Sequence, residues 1–569
     1  MISNKKHVVN PSYTFTNVRD LVEWAAKERP ESDRYAFSYR TNPHDKEATR
    51  ISYTAFRDDV RALSSEFLAR GWQGKHICII GKASYEWVLV YYAAMCTNSV
   101  LVPLDRDWTK EDLADTVAKA KTNILICDSD IPERCEYISE HVSLDEAPYL
   151  ISTKEGDNTV KALLEAGRVK FNENTEPYFA TTINPQKMSL LVFTSGTTGK
   201  GKGVMHCQNA ILSDIYNALH YIDYGRNTIS VLPPHHTFGS TIMFIGHVMI
   251  GTEVYLSSGI RYVANEIKDV KPEHLILVPL YLETFYRKIL ANLDAKGKTK
   301  LVFRMMKVCK VLRFFGIDIR RKVFKEILDA FGGNLRMAIS GSAPLSREIL
   351  DFYHGIGITL LNGYGITECA PLISVNRSKN NVIGSIGNVI DDCFVKIDEP
   401  NEDGEGEILF KGQNVMLGYY ENDEATADAF KDGYFRTGDY GKLDKNGVLY
   451  ITGRKKNLII LSNGKNVYPE EIENELATTP GIQDIIVYEG KSKRGISYNN
   501  IVAEIYPEAE FIEKNGITDA YSHFKPFIDE YNKYAVPYKK IGILKIRTEE
   551  FPKNTLRKIM RFKLDTTID

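Results

Sequence analysis

The sequence predicts an α/β protein, with a large N-terminal lobe of doubly wound mixed sheets followed by a smaller, mobile α+β domain. Three observations lead there. Up to Asp439, short β-rich runs alternate with helix-length periodic stretches, the rhythm of an open, largely parallel sheet covered on both faces. Beyond Asp439 the texture changes to short strands around one amphipathic helix. The chain has 569 residues, several times what one compact core supports, so at least two domains are expected.

Taken in order, the runs of the large lobe are His76–Gly81, Val100–Leu104, Asn123–Asp128, Leu190–Gly196, Thr228–Pro234, Glu253–Ser258, His274–Pro279, Leu335–Gly341 and Ile358–Gly365. Each is short and rich in Val, Ile and Leu, and several end in Gly-containing turns, which marks buried strands rather than helices. Ligands of such folds bind beyond the carboxyl ends of the strands, so the chemistry is sought at those turns. The smaller domain comprises the runs Asn446–Arg454, Lys456–Gly464, Asp484–Gly490, Asn499–Pro507 and Gly542–Arg547, with the periodic Pro469–Thr478 between them. No internal repeat and no Pro- or Gly/Ser-rich linker intervenes. The expected division is therefore 1–453 and 454–569, meeting at a short charged joint that suggests a hinge.

Composition narrows the function classes. Apolar residues make up 43% and charged residues 26%, as in an ordinary globular protein. With 72 Lys+Arg against 74 Asp+Glu, a nucleic-acid backbone is not expected as the main partner. Eight scattered cysteines without a CxxC pair, and an N-terminus without an apolar stretch and cleavage site, point to a reducing, cytoplasmic setting. The most apolar window, Thr241–Leu256, is interrupted by Gly246, His247, Gly251 and Glu253, too soon to span a bilayer.

The most informative stretch is Leu191–Gly203, LVFTSGTTGKGKG. An apolar strand feeds a loop of hydroxyls, glycines and lysines, which supplies the close backbone N–H groups and positive charge that a polyphosphate requires. Gly196, Gly201 and Lys202 keep the spacing of a P-loop, but Gly203 occupies the position where magnesium needs Ser or Thr. A glycine-rich loop alone is more often a plain turn.

The loop has company. Thr194-Ser-Gly-Thr-Thr-Gly199 with Lys202 is followed by Ser340-Gly-Ser-Ala-Pro344, Gly363-Tyr-Gly-Ile-Thr-Glu368, Thr437-Gly-Asp439, Gly453-Arg454, Asn463-Gly-Lys-Asn466 and Pro552-Lys-Asn-Thr-Leu-Arg-Lys558. This ordered set resembles the motifs of the adenylate-forming superfamily, which includes acyl-CoA synthetases, adenylation domains and beetle luciferase. The resemblance runs from about Ser52 to Arg561.

The resemblance implies a role for each motif. The loop residues Thr194, Ser195, Gly196, Thr197, Thr198, Gly199 and Lys202 would bind the phosphates of ATP. Gly341, Ser342 and Ala343 would wall the adenine, and Tyr364, set between Gly363 and Gly365, would stack on it. Thr367 would contact the α-phosphate. Glu368 would bind Mg2+, supplying the hard oxygen donor that the P-loop pattern lacks. Asp439 can accept from both ribose hydroxyls, assisted by Arg454. In Leu232-Pro-Pro-His-His-Thr-Phe-Gly239 the prolines align His236 with the gate of the acyl pocket. Adjacent side chains in a strand point apart, so the His235–His236 pair is not read as a zinc site. Lys558, on the small domain, would neutralise the charge that develops when a carboxylate attacks the α-phosphate. Two positions depart from the family pattern: Arg557 replaces a usual Gly, and Gly201 a usual Pro.

For the second half-reaction the resemblance implies a pivot at Lys456 and a loop at Asn463–Asn466 that turns inward as Lys558 withdraws. Between Lys296 and Lys325, eleven basic residues stand against Asp318 alone, interleaved with Leu, Val, Phe and Met. This segment is either a contact with the inner membrane face or an anionic ligand, or a solvated helix face over buried hydrophobes. An apolar, basic insertion here resembles the long-chain members. A fatty acid is thus favoured over an aryl or amino acid, with ATP and Mg2+ as cofactors and coenzyme A as acyl acceptor. An acyl-carrier protein is the alternative acceptor, and a non-catalytic nucleotide-binding scaffold the reading from a different class.

Overall fold

The computed structural model describes residues 8–10, 13–30, 34–151, 156–194, 201–341, 345–461, 466–491, 497–553 and 558–568. Strands lie at all nine sites read from the large lobe, but they are divided among separate sheets. The widest has seven strands in the order Gly418–Tyr419, Gly203–Cys207, Met188–Phe193, Val100–Leu104, His76–Ile80, Ile124–Asp128, Tyr149–Ile151. Its last five are parallel, and the first two run antiparallel at one edge. A second sheet places His274–Leu277, Met337–Ser340 and Thr359–Gly365 parallel, then adds Leu372–Val375 and Asn388–Val389 antiparallel. A third joins Asn227–Ser230 and Glu253–Leu256 to the hairpin Tyr35–Tyr39/Thr49–Ser52.

The large lobe is thus built of mixed sheets, as expected, with the parallel strands shared between them. A fully antiparallel sheet of Phe394–Asp398, Gly406–Lys411, Tyr434–Leu443, Phe430–Lys431 and Leu449–Arg454 also builds the large lobe. Its outer strand Phe394–Asp398 is exposed on alternate residues, so it has no continuous apolar run to betray it.

Helix Tyr85–Cys96, apolar all round its circumference, is buried along its whole length. Its Trp87 and Tyr92 pack on Phe244 and Phe56. Helix starts follow side-chain capping: Ser52, Ser84, Thr109, Thr159 and Ser346 each accept from the backbone N–H three residues on.

The smaller part of the chain has its own core. Ile472 and Leu476 of helix Pro469–Leu476, with Phe524 and Ile528 of helix Ala520–Tyr534, cover a sheet of Ile482–Lys491, Ser497–Pro507 and Ile541–Ile546. Arg454, cross-strand from Asp439, is the last residue of its strand. A single 3₁₀ turn, Lys455–Asn457, then leads into the short strand Ile459–Ile460.

Candidate active site

Strand register brings the motifs together. Ser340 pairs with Asn362, so the turns after both strands open at the same sheet end, while Asp439 pairs with Arg454 on the antiparallel sheet. Gly365 needs its missing side chain: a Cβ there would fall 1.9 Å from the Pro371 carbonyl oxygen. Between them opens a cavity of about 2260 Å³, lined by Thr194, His236, Gly341, Gly363, Tyr364, Gly365, Thr367, Glu368, Asp439, Arg454 and Lys558. Those eleven residues, scattered over more than half the chain, thus share one space. Ser195–Gly199, Ser342, Ala343 and Asn463–Lys465 lie outside the described residues.

Asp439 is the electrostatic centre. The Tyr364 hydroxyl donates to its Oδ2 at 2.6 Å and Arg454 Nε meets its Oδ1 at 2.8 Å. Burial pushes the Asp439 carboxyl up, opposed chiefly by the Arg454 guanidinium. Each oxygen still has a second acceptor direction, which leaves both able to receive a hydroxyl. Lys558 is partly buried within reach of these charges. Burial first, then the neighbouring Arg454 and Lys456, push its ammonium down to about 8, against the pull of Asp439.

Glu368 follows Thr367 in a 3₁₀ turn, and its Oε1 accepts from the Tyr419 hydroxyl at 2.8 Å. The Lys202 ammonium sits 4.5 Å from the centroid of the Tyr419 ring. The two ends of the glycine-rich loop are closed by Thr194 N–H donating to the Lys202 carbonyl at 3.0 Å. Lys119 adds a second cation, donating to Gly201 O at 2.8 Å. Sequence reasoning missed Tyr419 and Lys119 because neither lies in a glycine-rich motif. It also missed His206, fully buried, whose Nε2 lies 2.7 Å from Thr367 O. Burial pushes His206 down to about 4, so the ring is neutral and Nε2–H is the donor that holds the Thr367 backbone.

His235 and His236 do not sit in a strand with rings apart. They occupy a turn before the π-helical segment Phe238–Gly246, with ring centroids 4.4 Å from each other. The expectation failed because the strand already ends at Ser230, and the tandem Pro233-Pro234 leads into a turn at His235. His236 Nε2 is buried without a hydrogen-bond partner, and burial holds the imidazole well below its usual range, neutral at physiological pH. The cavity is also lined by Ile222, Tyr224, Phe238, Ile242, Ile276 and Val278, all part of or packed on one hydrophobic cluster.

As for a divalent cation, no group of three or more His, Cys, Asp or Glu side chains clusters to hold one among the described residues. Glu368, tied through Tyr419 to Lys202, offers a carboxylate on the large cavity. That fits magnesium, which keeps most of its water and binds through one or two carboxylates plus phosphate oxygens.

This architecture and site define an adenylate-forming enzyme, an AMP-forming acid–thiol ligase. The chain belongs to the AMP-binding enzyme family, whose model matches residues 22–420. It is 28% identical over 466 residues to a long-chain-fatty-acid–CoA ligase, FadD15, of Mycobacterium bovis, covering 77% of this chain and 75% of that one. It is also 28% identical over 514 residues to long-chain-fatty-acid–CoA ligase 5 of Rattus norvegicus, covering 83% and 73%. Among solved structures, the anthranilate CoA ligase AuaEII in complex with anthranoyl-AMP superposes with a TM-score of 0.75 at 17% identity, covering 98% of this chain and 97% of that one. At that identity the likeness speaks to the fold.

Proposed function

We propose that this protein activates a long-chain fatty acid with ATP and passes the acyl group to coenzyme A. The observation that carries the reading is the gathering of Tyr364, Asp439, Arg454, Glu368 and Lys558 around one cavity that the apolar Ile222, Phe238, Ile242, Ile276 and Val278 also line. In the first step a carboxylate oxygen attacks the α-phosphorus. A C–O–P anhydride bond forms, the bond to the β-phosphate breaks, and pyrophosphate leaves. In the second, the thiol attacks the acyl carbonyl and AMP leaves.

Each residue has a task in this reading. The Tyr364 ring lies against adenine beside Gly341, and Asp439 with Arg454 receives the ribose hydroxyls. Lys202 and the loop Thr194–Gly199 hold the phosphates, with Thr367 at the α-phosphate. Glu368 would hold Mg2+, which supplies charge neutralisation to the phosphates when bound. Two anions must meet in the adenylation step, and the Lys558 ammonium is placed to offset the charge that develops. Neutral His236, its buried Nε2 without a partner, lines the same cavity and would lie near the reacting carboxylate. The polypeptide divides at the 3₁₀ turn after Arg454, and rotation there would exchange Lys558 for the Asn463–Asn466 loop.

The long-chain reading draws on the names of the relatives and on the apolar wall. The fold neighbour that binds anthranoyl-AMP keeps an aryl acid as the second reading, and a carrier-protein thiol remains the alternative acceptor. A panel of carboxylic acids in ATP–pyrophosphate exchange, with and without coenzyme A, tests all of these. If no acid supports exchange, the enzyme reading is wrong. Lys558→Ala should abolish exchange while leaving thioester formation from supplied acyl-AMP; equal loss of both would contradict the two-state assignment.

A further inference from the structure

Tyr224 lines the large cavity from the segment between helix Gln208–Leu219 and strand Asn227–Ser230. With Ile222, Ile242, Ile276 and Val278 it is part of or packed on one hydrophobic cluster, and it alone of these five cavity residues carries a polar side-chain atom. The residue is half-buried, yet its phenol is enclosed: burial alone pushes it up, with no charge and no hydrogen bond acting on it among the described residues. An enclosed group that keeps accessible surface faces the cavity and not bulk solvent. The hydroxyl therefore stands in the cavity without a protein partner.

Two histidines brace the ring. His247 and His274, both fully buried, stack at 5.2 Å with 7° between their planes, and Tyr224 packs edge-on against each, at 5.6 and 5.1 Å. Every ring nitrogen of the pair is used. Gly225 N–H donates to His274 Nδ1 at 3.1 Å, so His274 carries its proton on Nε2 and donates to His247 Nε2 at 2.9 Å; His247 Nδ1–H donates in turn to Ile242 O at 2.8 Å. Burial holds both imidazoles below their usual range, which keeps them neutral and this order of protons in place. No nitrogen is left over for the Tyr224 hydroxyl. The backbone beside the ring is pressed so closely on Glu273 that a Cβ on Gly225 would fall 2.2 Å from the Glu273 Cβ.

We propose that Tyr224 is a specificity-determining residue whose hydroxyl donates to a neutral oxygen on the acyl part of the acid, so that the site takes a hydroxy or oxo acid in preference to an unsubstituted one. An unsubstituted chain that displaced water from this hydroxyl would leave it buried and unpaired, which disfavours that chain by about tenfold or more. A second carboxylate does not fit, because no cation acts on the phenol and the added charge would be buried without a partner. The assignment rests on the reading that this cavity takes the acid.

The test measures binding and turnover separately, on the full chain. Sixteen-carbon acids with one hydroxyl or oxo group at successive positions, the unsubstituted acid and the sixteen-carbon dicarboxylic acid compete with a fluorescent polyene fatty acid for binding without nucleotide, and each is then assayed in ATP–pyrophosphate exchange. A run of neighbouring substituted positions should bind, and turn over by kcat/KM, at least about tenfold better than the unsubstituted acid, with the dicarboxylic acid worse than either. Tyr224→Phe keeps a ring against both histidines. It should weaken the favoured acids and improve the unsubstituted one, bringing their ratio close to unity, while acids substituted outside the run keep their relative order and report that the variant folds. The proposal is overturned if no position is preferred, if the dicarboxylic acid is taken as well as the favoured acids, or if Tyr224→Phe weakens all acids equally. Preference in binding without exchange would keep the assignment and sink the ligase reading; exchange without preference would do the reverse.

Discussion

Glu473 grips Arg561 through both carboxylate oxygens, with Arg561 Nη2 at 2.5 Å from Oε2. Arg561 Nη1 also donates to Val487 O at 2.9 Å, and Val487 N–H donates to Glu473 Oε1 at 2.6 Å. Helix, sheet and the C-terminal segment of the small domain are therefore tied at one point, three residues beyond Lys558. Glu473→Gln keeps an acceptor but removes the charge opposite a partly buried guanidinium. Adenylation should fall more than tenfold, while thioester formation from supplied acyl-AMP, which in the proposed two-state reading does not use Lys558, stays near parental. In denaturant unfolding of the full chain Glu473→Ala should cost about 1–3 kcal/mol, less than a fully buried pair because Arg561 keeps some water contact. Equal decline of both half-reactions would show the pair to be a structural tie with no bearing on Lys558.

Tyr419 links the glycine-rich loop to the candidate metal carboxylate, with its hydroxyl on Glu368 and its ring under Lys202. Tyr419→Phe retains the ring and deletes one hydrogen bond to a charged group, worth about 1.5 kcal/mol, or roughly tenfold in rate. The expected signature is a higher magnesium requirement in pyrophosphate exchange with unchanged thioester formation from acyl-AMP. An unchanged magnesium titration would mean that the hydroxyl does not orient Glu368.

Much of this was legible in the sequence, and the failures have physical causes. Strands with continuous Val, Ile and Leu, such as Val100–Leu104 and Ile124–Asp128, announce themselves because both faces are buried. Phe394–Asp398 does not, because solvent takes one face and its residues look like loop. Ordered motifs identified the cavity lining, yet Glu473 read only as a polar position on the amphipathic Pro469–Thr478. Its partner lies 88 residues away, and no periodicity encodes such a separation. Tyr419 and Glu368 are 51 residues apart and meet for the same reason, through sheet pairing that the motif spacing does not contain.

The apolar wall predicts acyl selectivity. Val278, the residue between strand His274–Leu277 and helix Pro279–Ala295, is the smallest of the apolar side chains named on the cavity. Val278→Phe adds bulk to a wall that a long chain must follow and a short one need not reach. The ratio of kcat/KM for a sixteen-carbon acid over an eight-carbon acid should drop by about tenfold or more, as overpacking by several methylenes costs about 1–3 kcal/mol. If the ratio is unchanged, the chain runs elsewhere in the cavity.

On the proposed role of Lys558, its ammonium should set the pH response of the first half-reaction. Its ammonium is held down to about 8 by burial and by the neighbouring Arg454 and Lys456, so the charged form is fully present below that value and is lost as pH rises through it. Only the charged form can offset the anions that meet at the α-phosphate. In the free enzyme, kcat/KM for pyrophosphate exchange should therefore decline above about pH 8 with slope one. Thioester formation from supplied acyl-AMP should not share this limb if, as proposed, the lysine is withdrawn in that step. Lys558→Arg separates charge from geometry: a guanidinium stays charged throughout this range, so any residual exchange should lose the alkaline limb. An alkaline decline that persists in the Arg variant would trace the limb to another group. His236 cannot supply it, since burial holds its ring neutral on that side of neutrality.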